Sequence, residues 1–79
     1  MKIQLKYYSH FAQWTGKEKD TLETTYTTAR EIYLFQKDLF KFTFPIESIR
    51  LAINDEFCDW DTELKEDDKL VYIAPVSGG

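Results

Sequence analysis

The residues best suited to chemistry in this sequence stand at its end, in Ala74-Pro75-Val76-Ser77-Gly78-Gly79. A Gly-Gly pair has no side chain beyond hydrogen, so its backbone threads a narrow channel and adopts torsions closed to other residues. The reactive group is then the α-carboxylate of Gly79, a poor electrophile until one of its oxygens is made into a leaving group. Acyl-adenylation by an ATP-dependent partner is the economical route. Extended at about 3.3 to 3.6 Å per residue, the segment from Pro75 to Gly79 projects on the order of 15 Å, far enough to enter a partner's active site. Chain ends are ordinarily frayed. A Gly-Gly placed directly after a strand as apolar as Lys69-Leu70-Val71-Tyr72-Ile73 argues for a use.

The other reactive side chains form no set. His10 follows a strand beside Ser9 and reads as a surface or capping residue. Cys58 lies between Phe57 and Asp59 and near Asp61, whereas a reactive thiol needs an electropositive, accessible setting. It reads as a small buried hydrophobe. No catalytic triad, glycine-rich phosphate loop or paired histidines occur. Eight carboxylates crowd the stretch from Asp55 to Asp68, but without the glycine and ligand periodicity of a calcium loop. They read as a solvated acidic face, and no metal site is expected.

Composition narrows the partners. A chain of 79 residues makes one domain, and its 43% hydrophobic content exceeds what a core that small needs, which leaves apolar surface to be explained. A formal net charge of −4 without a Lys/Arg cluster argues against nucleic acid. The alternating Met1-Lys2-Ile3-Gln4-Leu5-Lys6 start is no signal peptide, no span reaches bilayer length, and one Cys with one His can build neither a disulfide nor a zinc cluster. The cytoplasm, with no membrane partner, is the expected compartment.

The elements that must position the tail follow from periodicity. Lys2 to Tyr8 alternates, with Ile3, Leu5 and Tyr7 on one face and Lys2, Gln4, Lys6 and Tyr8 on the other. Ser9 is placed to cap a short helix through about Thr15 that Gly16 ends. Lys19 to Glu23 or Thr24 reads as a second strand. Thr28-Ala29-Arg30-Glu31 has capping-box spacing, so the main helix starts there. Its apolar stripe is Ala29, Ile32, Phe35 or Gln36, Leu39 and Phe40, and Phe42, Phe44 and Pro45 end it. Ser48 to Ile53, Phe57 to Trp60 and Lys69 to Ile73 read as three more strands, separated by the turns Asn54-Asp55-Glu56 and Glu66-Asp67-Asp68. The last strand is the most apolar and suits a central position covered on both faces for much of its length.

One main helix across a mixed five-stranded sheet, with a short extra helix, is an α+β arrangement of β-grasp, or ubiquitin-like, layout, the first and last strands lying side by side and parallel. The whole of 1–79 is then a single domain with a flexible tail over 75–79, since Pro75 cannot continue an interior strand. On the face away from the helix, Tyr8, Phe57 and Ile73 are expected to meet as an exposed apolar patch beside the tail, and such patches mark interfaces.

With these residues in view the chain resembles the MoaD family, the small subunits of molybdopterin synthase. The resemblance runs over the whole length: the strand ending in Tyr7-Tyr8, the helix start Thr28-Ala29-Arg30-Glu31-Ile32, Leu51-Ala52-Ile53-Asn54, and Asp68 leading into Leu70-Val71-Tyr72-Ile73-Ala74-Pro75-Val76-Ser77-Gly78-Gly79. The ending is its specific part. The resemblance implies that an adenylating E1-like activating enzyme uses ATP on the Gly79 carboxylate and that a sulfur donor protein converts it to a thiocarboxylate. The tail, with Gly78 as a slim neck and Pro75, Val76 and Ser77 in contact with the partner, then enters the large synthase subunit of a heterotetramer and gives its sulfur to cyclic pyranopterin monophosphate. It implies no cofactor bound by this chain and no catalysis by it alone. Two departures stand out: Ala74 replaces a frequent second proline, and Glu66-Asp67-Asp68 lacks a glycine common in that turn. Thiamine-pathway sulfur carriers and ubiquitin-like protein modifiers share the fold and the activation chemistry and are the alternatives.

Overall fold

In the computed structural model, which describes residues 1–75, the alternating segments become strands β1 (Lys2–Lys6), β2 (Lys19–Glu23), β3 (Arg50–Ile53), β4 (Glu56–Cys58) and β5 (Lys69–Ile73). They form one sheet in the order β2-β1-β5-β3-β4. β1 and β5 run parallel, with Leu5 beside Leu70, and the other neighbouring pairs are antiparallel. The helices are α1 (Ser9–Thr15) and α2 (Ala29–Phe40), and a short 3₁₀ turn spans Ile46–Ser48. This is the expected β-grasp.

Helix α2 starts where its cap directs. The Thr28 side chain accepts from the Glu31 backbone N–H and the Glu31 carboxylate accepts from the Thr28 backbone, a complete capping box. These hydrogen bonds, led by that from the Thr27 backbone, hold the Glu31 carboxyl below its ordinary range. Its end differs from expectation. Lys41, at φ 62°, closes the helix from the left-handed region with its N–H on the Lys37 carbonyl, so the chain turns before Phe42, Phe44 and Pro45. Those aromatic residues serve the core instead: Phe42 is buried, and the Phe44 carbonyl accepts from the Tyr33 hydroxyl at 2.7 Å.

The buried face of α2 is Ala29, Ile32, Tyr33 and Gln36. Phe35 and Leu39 are exposed, at 43% and 58%, contrary to the expected stripe. Gln36 lies inside because two buried phenols need its amide. It donates to the Tyr7 hydroxyl at 2.8 Å and accepts from the Tyr72 hydroxyl at 2.6 Å. In α1, Ser9 makes no side-chain cap, and Tyr8 occupies the N-cap position. Gly16 does end that helix, at φ 74°.

The expected strands at Ser48 to Ile53 and Phe57 to Trp60 are trimmed to β3 and β4. Ile46–Ser48 coils into the 3₁₀ turn, and Trp60 folds back so that its indole N–H reaches the Ile49 carbonyl at 3.2 Å. Between β3 and β4, Asn54 and Asp55 both take positive φ, 53° and 72°, the pattern of a type I′ hairpin turn. Asp67, at φ 66°, fills the place of the missing glycine in the Glu66-Asp67-Asp68 turn, and its N–H reaches the Lys2 carbonyl at 2.7 Å. Strand β5 is central, as expected, but only Leu70 and Tyr72 are fully buried. Val71 and Ile73 are half-buried on the open face.

Candidate functional site

Strand β5 delivers the chain to Ala74, half-buried, and Pro75, exposed, where the described residues stop. Gly79, Gly78, Ser77 and Val76 lie outside the described residues. The root of the tail is therefore what the geometry defines. It is firmly held: β5 is hydrogen-bonded to β1 on one side and to β3 on the other.

Alternation along β5 sends Leu70 and Tyr72 under α2 and leaves Val71 and Ile73 facing outward. The register continues this outer row. Val71 lies beside Lys6 of β1 and Ala52 of β3, Ala52 beside Phe57 of β4, and Ile73 beside Arg50. Tyr8, just past β1, completes the ring, so Tyr8, Phe57 and Ile73 come together with Ala52, Asp55 and Val71 around a shallow hollow of about 220 Å³. Tyr8 is 50% exposed and Phe57 60%. Two aromatic rings standing half out of water beside a strand's exit form a surface that gains from being covered.

Two cations hold these rings. The Arg50 guanidinium sits 3.8 Å from the centre of the Phe57 ring, and the Lys6 ammonium 5.3 Å from that of Tyr8. The neighbouring Tyr8, followed by the charges of Asp55 and Glu18, holds the Lys6 ammonium above its ordinary range. Beneath the hollow, Tyr7 and Tyr72 are locked through Gln36. Burial pushes the Tyr7 phenol up to about 12 and Tyr72 well above its ordinary value, so both stay neutral into alkaline pH, Tyr7 accepting from the Gln36 amide and Tyr72 donating to it. Each lies next in the chain to a residue of the hollow. The outer surface is thus fixed by what its neighbours do inside.

The remaining reactive side chains lie elsewhere. His10 is exposed, its ring 5.2 Å from Phe44 and 5.7 Å from Trp14, with the Ser9 hydroxyl 3.4 Å from Nδ1. Cys58 is half-buried opposite Leu51 and packs against the core. The acidic stretch is engaged in structure: Asp61 makes a bidentate pair with Arg30 at 2.8 and 3.1 Å, and Asp68 accepts from the Lys65 backbone and the Asn54 amide. Among the described residues no group of three or more His, Cys, Asp or Glu stands close enough to hold a metal ion. No helix among them is long and apolar enough to cross a membrane.

The structure brings Tyr8, Phe57 and Ile73 together as expected of their faces, and strand pairing adds Arg50 and Ala52, which sequence reasoning did not place there, and Lys6, which it placed on the Tyr8 face without giving it a part. The signal was the same alternation, read one strand further.

The sequence profile of the ThiS family matches residues 5–79. No match was found among curated protein sequences. Among solved structures, the putative molybdopterin converting factor subunit 1 of Pyrococcus furiosus is 24% identical, covering 96% of this chain and 99% of that one at a TM-score of 0.76. The small archaeal modifier protein 1 of Methanosarcina acetivorans is 21% identical over 99% of this chain and 96% of that one, at 0.78. A complex of subunits 1 and 2 of the molybdopterin-converting factor of Helicobacter pylori contains a chain 19% identical over the full length of both, at 0.69. The chain belongs to the ThiS family, and its fold is the ubiquitin-like β-grasp of MoaD-type sulfur carriers and small archaeal modifiers.

Proposed function

We propose that this protein is a sulfur carrier for molybdopterin synthesis. In this reading an E1-like activating enzyme transfers AMP from ATP to the Gly79 carboxylate with release of pyrophosphate. Hydrosulfide-level sulfur (HS⁻) supplied by a donor protein then attacks the acyl carbon and displaces AMP, leaving a thiocarboxylate and releasing a proton. The hollow formed by Tyr8, Phe57 and Ile73 docks on the large synthase subunit, and the tail from Pro75 through Val76, Ser77 and Gly78 carries the sulfur to cyclic pyranopterin monophosphate. ATP belongs to the activating partner, and the work is cytoplasmic.

The observation behind this reading is the half-exposed aromatic hollow beside the root of the tail. A docking surface there leaves the tail pointing into the partner rather than away from it. The Helicobacter pylori complex of two converting-factor subunits supports such an assembly by analogy of fold. The likeness to small archaeal modifier protein 1 favours a second reading, in which the activated Gly79 carboxylate is joined to lysines of other proteins. The family match equally fits a thiamine-pathway carrier.

The test is the intact mass of the full chain after incubation with the activating enzyme, ATP and a sulfur source. The carrier reading expects a gain equal to the difference between sulfur and oxygen, lost again on adding the large subunit with its pterin substrate. Deleting Gly79, or appending a residue after it, should abolish the gain and leave the circular dichroism spectrum unchanged. Sulfur transfer retained by an appended form that is not trimmed would sink the reading. Gly79 found isopeptide-linked to lysines in cell lysate, with no thiocarboxylate, would select the modifier instead.

A further inference from the structure

The outer face of the sheet carries a charge opposite to that of the chain. Among the strand residues, register assigns to it five cations, Lys2 and Lys6 of β1, Lys19 of β2, Arg50 of β3 and Lys69 of β5, against the single carboxylate of Glu23. Taken from the ten Lys/Arg and fourteen Asp/Glu of the whole sequence, that leaves five basic and thirteen acidic side chains for everything else. Carboxylates at its margin, Asp55 of the hollow among them, offset part of this charge. Asp55 pairs with Lys69 at 3.2 Å, Glu66 accepts from the Lys2 backbone at 3.1 Å, and Asp67 accepts from the Gln4 amide at 3.3 Å.

This lane works against the fold that carries it. Lys6 and Lys19 are direct cross-strand partners, and like charges so placed are destabilising. Lysines on edge strands commonly prevent sheet-to-sheet association, which accounts for Lys19 on β2. It does not account for Lys2, Lys6, Lys69 and Arg50, which lie on the inner strands β1, β5 and β3. The lane also runs into the apolar hollow, since Lys6 and Arg50 are the cations over Tyr8 and Phe57.

Resting on the docking reading above, we propose that this basic lane selects a partner protein whose docking surface is acidic around an apolar centre. Separated surface charges of this kind act over a Debye length on encounter, so the lane governs how fast and which partner docks, while the hollow governs how long it stays.

Stopped-flow association of the full chain with its synthase large subunit, over a series of salt concentrations, tests this. Association should slow steeply as salt rises. Lys2→Gln combined with Lys19→Gln, neither of which touches the hollow, should slow it about threefold or more at low salt and flatten the salt dependence, with little change in dissociation and no loss of melting temperature. Lys41→Glu, at the end of α2, should do neither. Unchanged association in the double variant, beside a Phe57→Asp variant that has lost binding, overturns the lane and leaves the docking reading standing. A Phe57→Asp variant that binds normally overturns the docking reading instead. Amide chemical shifts of the free chain, titrated with oligo-glutamate and with oligothymidylate of equal charge, judge the lane whatever the partner. Shifts confined to the outer-face strands with oligo-glutamate support it; scattered shifts, or a stronger response to oligothymidylate, overturn it.

Discussion

On the inner face of the sheet Tyr7 and Tyr72 are 3% and 2% exposed and share the amide of Gln36. On the outer face Tyr8, one residue on, is half in water with a lysine over its ring. The same strands make both faces, because successive side chains point opposite ways. The inner face has all its polar groups satisfied, with no buried side-chain nitrogen or oxygen among the described residues lacking a partner. The outer face keeps aromatic surface and charge unspent. Stability and the proposed recognition are separated here by a single step along the chain, so that adjacent substitutions should fail in different assays.

The largest break in that comparison should come from alkali. Burial pushes Tyr7 and Tyr33 up to about 12, and raises Tyr72 well above its ordinary value, from 10.0. Between these values the unfolded chain loses phenolic protons that the folded chain keeps, so stability is full below about pH 10 and falls as pH rises toward 12. Urea midpoints should be flat up to about pH 10 and then drop sharply, less so in Tyr7→Phe. A midpoint unmoved at pH 12 would mean that the inner face admits water.

Next in size is a pair on one strand. Leu70→Ala, fully buried, should cost about 2 to 5 kcal/mol by urea unfolding, and the outward Val71→Ala less than half of that. Equal losses would erase the distinction between the faces. Phe57→Asp should sharpen it from the other side. Binding to the large subunit should weaken by about 2 kcal/mol, while stability shifts by about 0.5 kcal/mol or less. A variant that unfolds would place Phe57 in the core.

The smallest effects belong to the residues that serve neither face's function. Cys58→Ser should lose about 1 kcal/mol or less by thermal melting, the cost of a hydroxyl in a half-buried site, and His10→Ala should lose about as little. Both should accept and deliver sulfur at near-normal rates. A Cys58→Ser protein that folds normally but accepts no sulfur would move the chemistry from the tail to that thiol.

Much of this was legible because it rests on local rules. The alternation around Tyr7 and Tyr8 separated inside from outside, and Thr28 with Glu31 announced α2. What escaped depended on tertiary partners. A helical step of 100° puts Gln36 between Ile32 and Ala29 on the buried face and Phe35 about 60° outside Ile32, but hydrophobicity favours the phenylalanine; the hydroxyls of Tyr7 and Tyr72, from strands distant in sequence, are what make a buried Gln36 acceptable. Lys41 ends α2 from a conformation that lysine seldom announces. The basic lane was hidden because the whole chain is acidic, and its members come from four strands that meet only in the folded sheet.

The placement of β5 between β1 and β3 has a mechanical consequence. A pull on Pro75 along the strand loads the parallel ladder to β1 and the antiparallel ladder to β3 together, so the hydrogen bonds on both flanks share the force in shear instead of opening one after another. A strand at the edge could be peeled away. This one resists extraction until both neighbours yield, which under the proposed function would let a partner protein pull on the end of the chain without unravelling the domain.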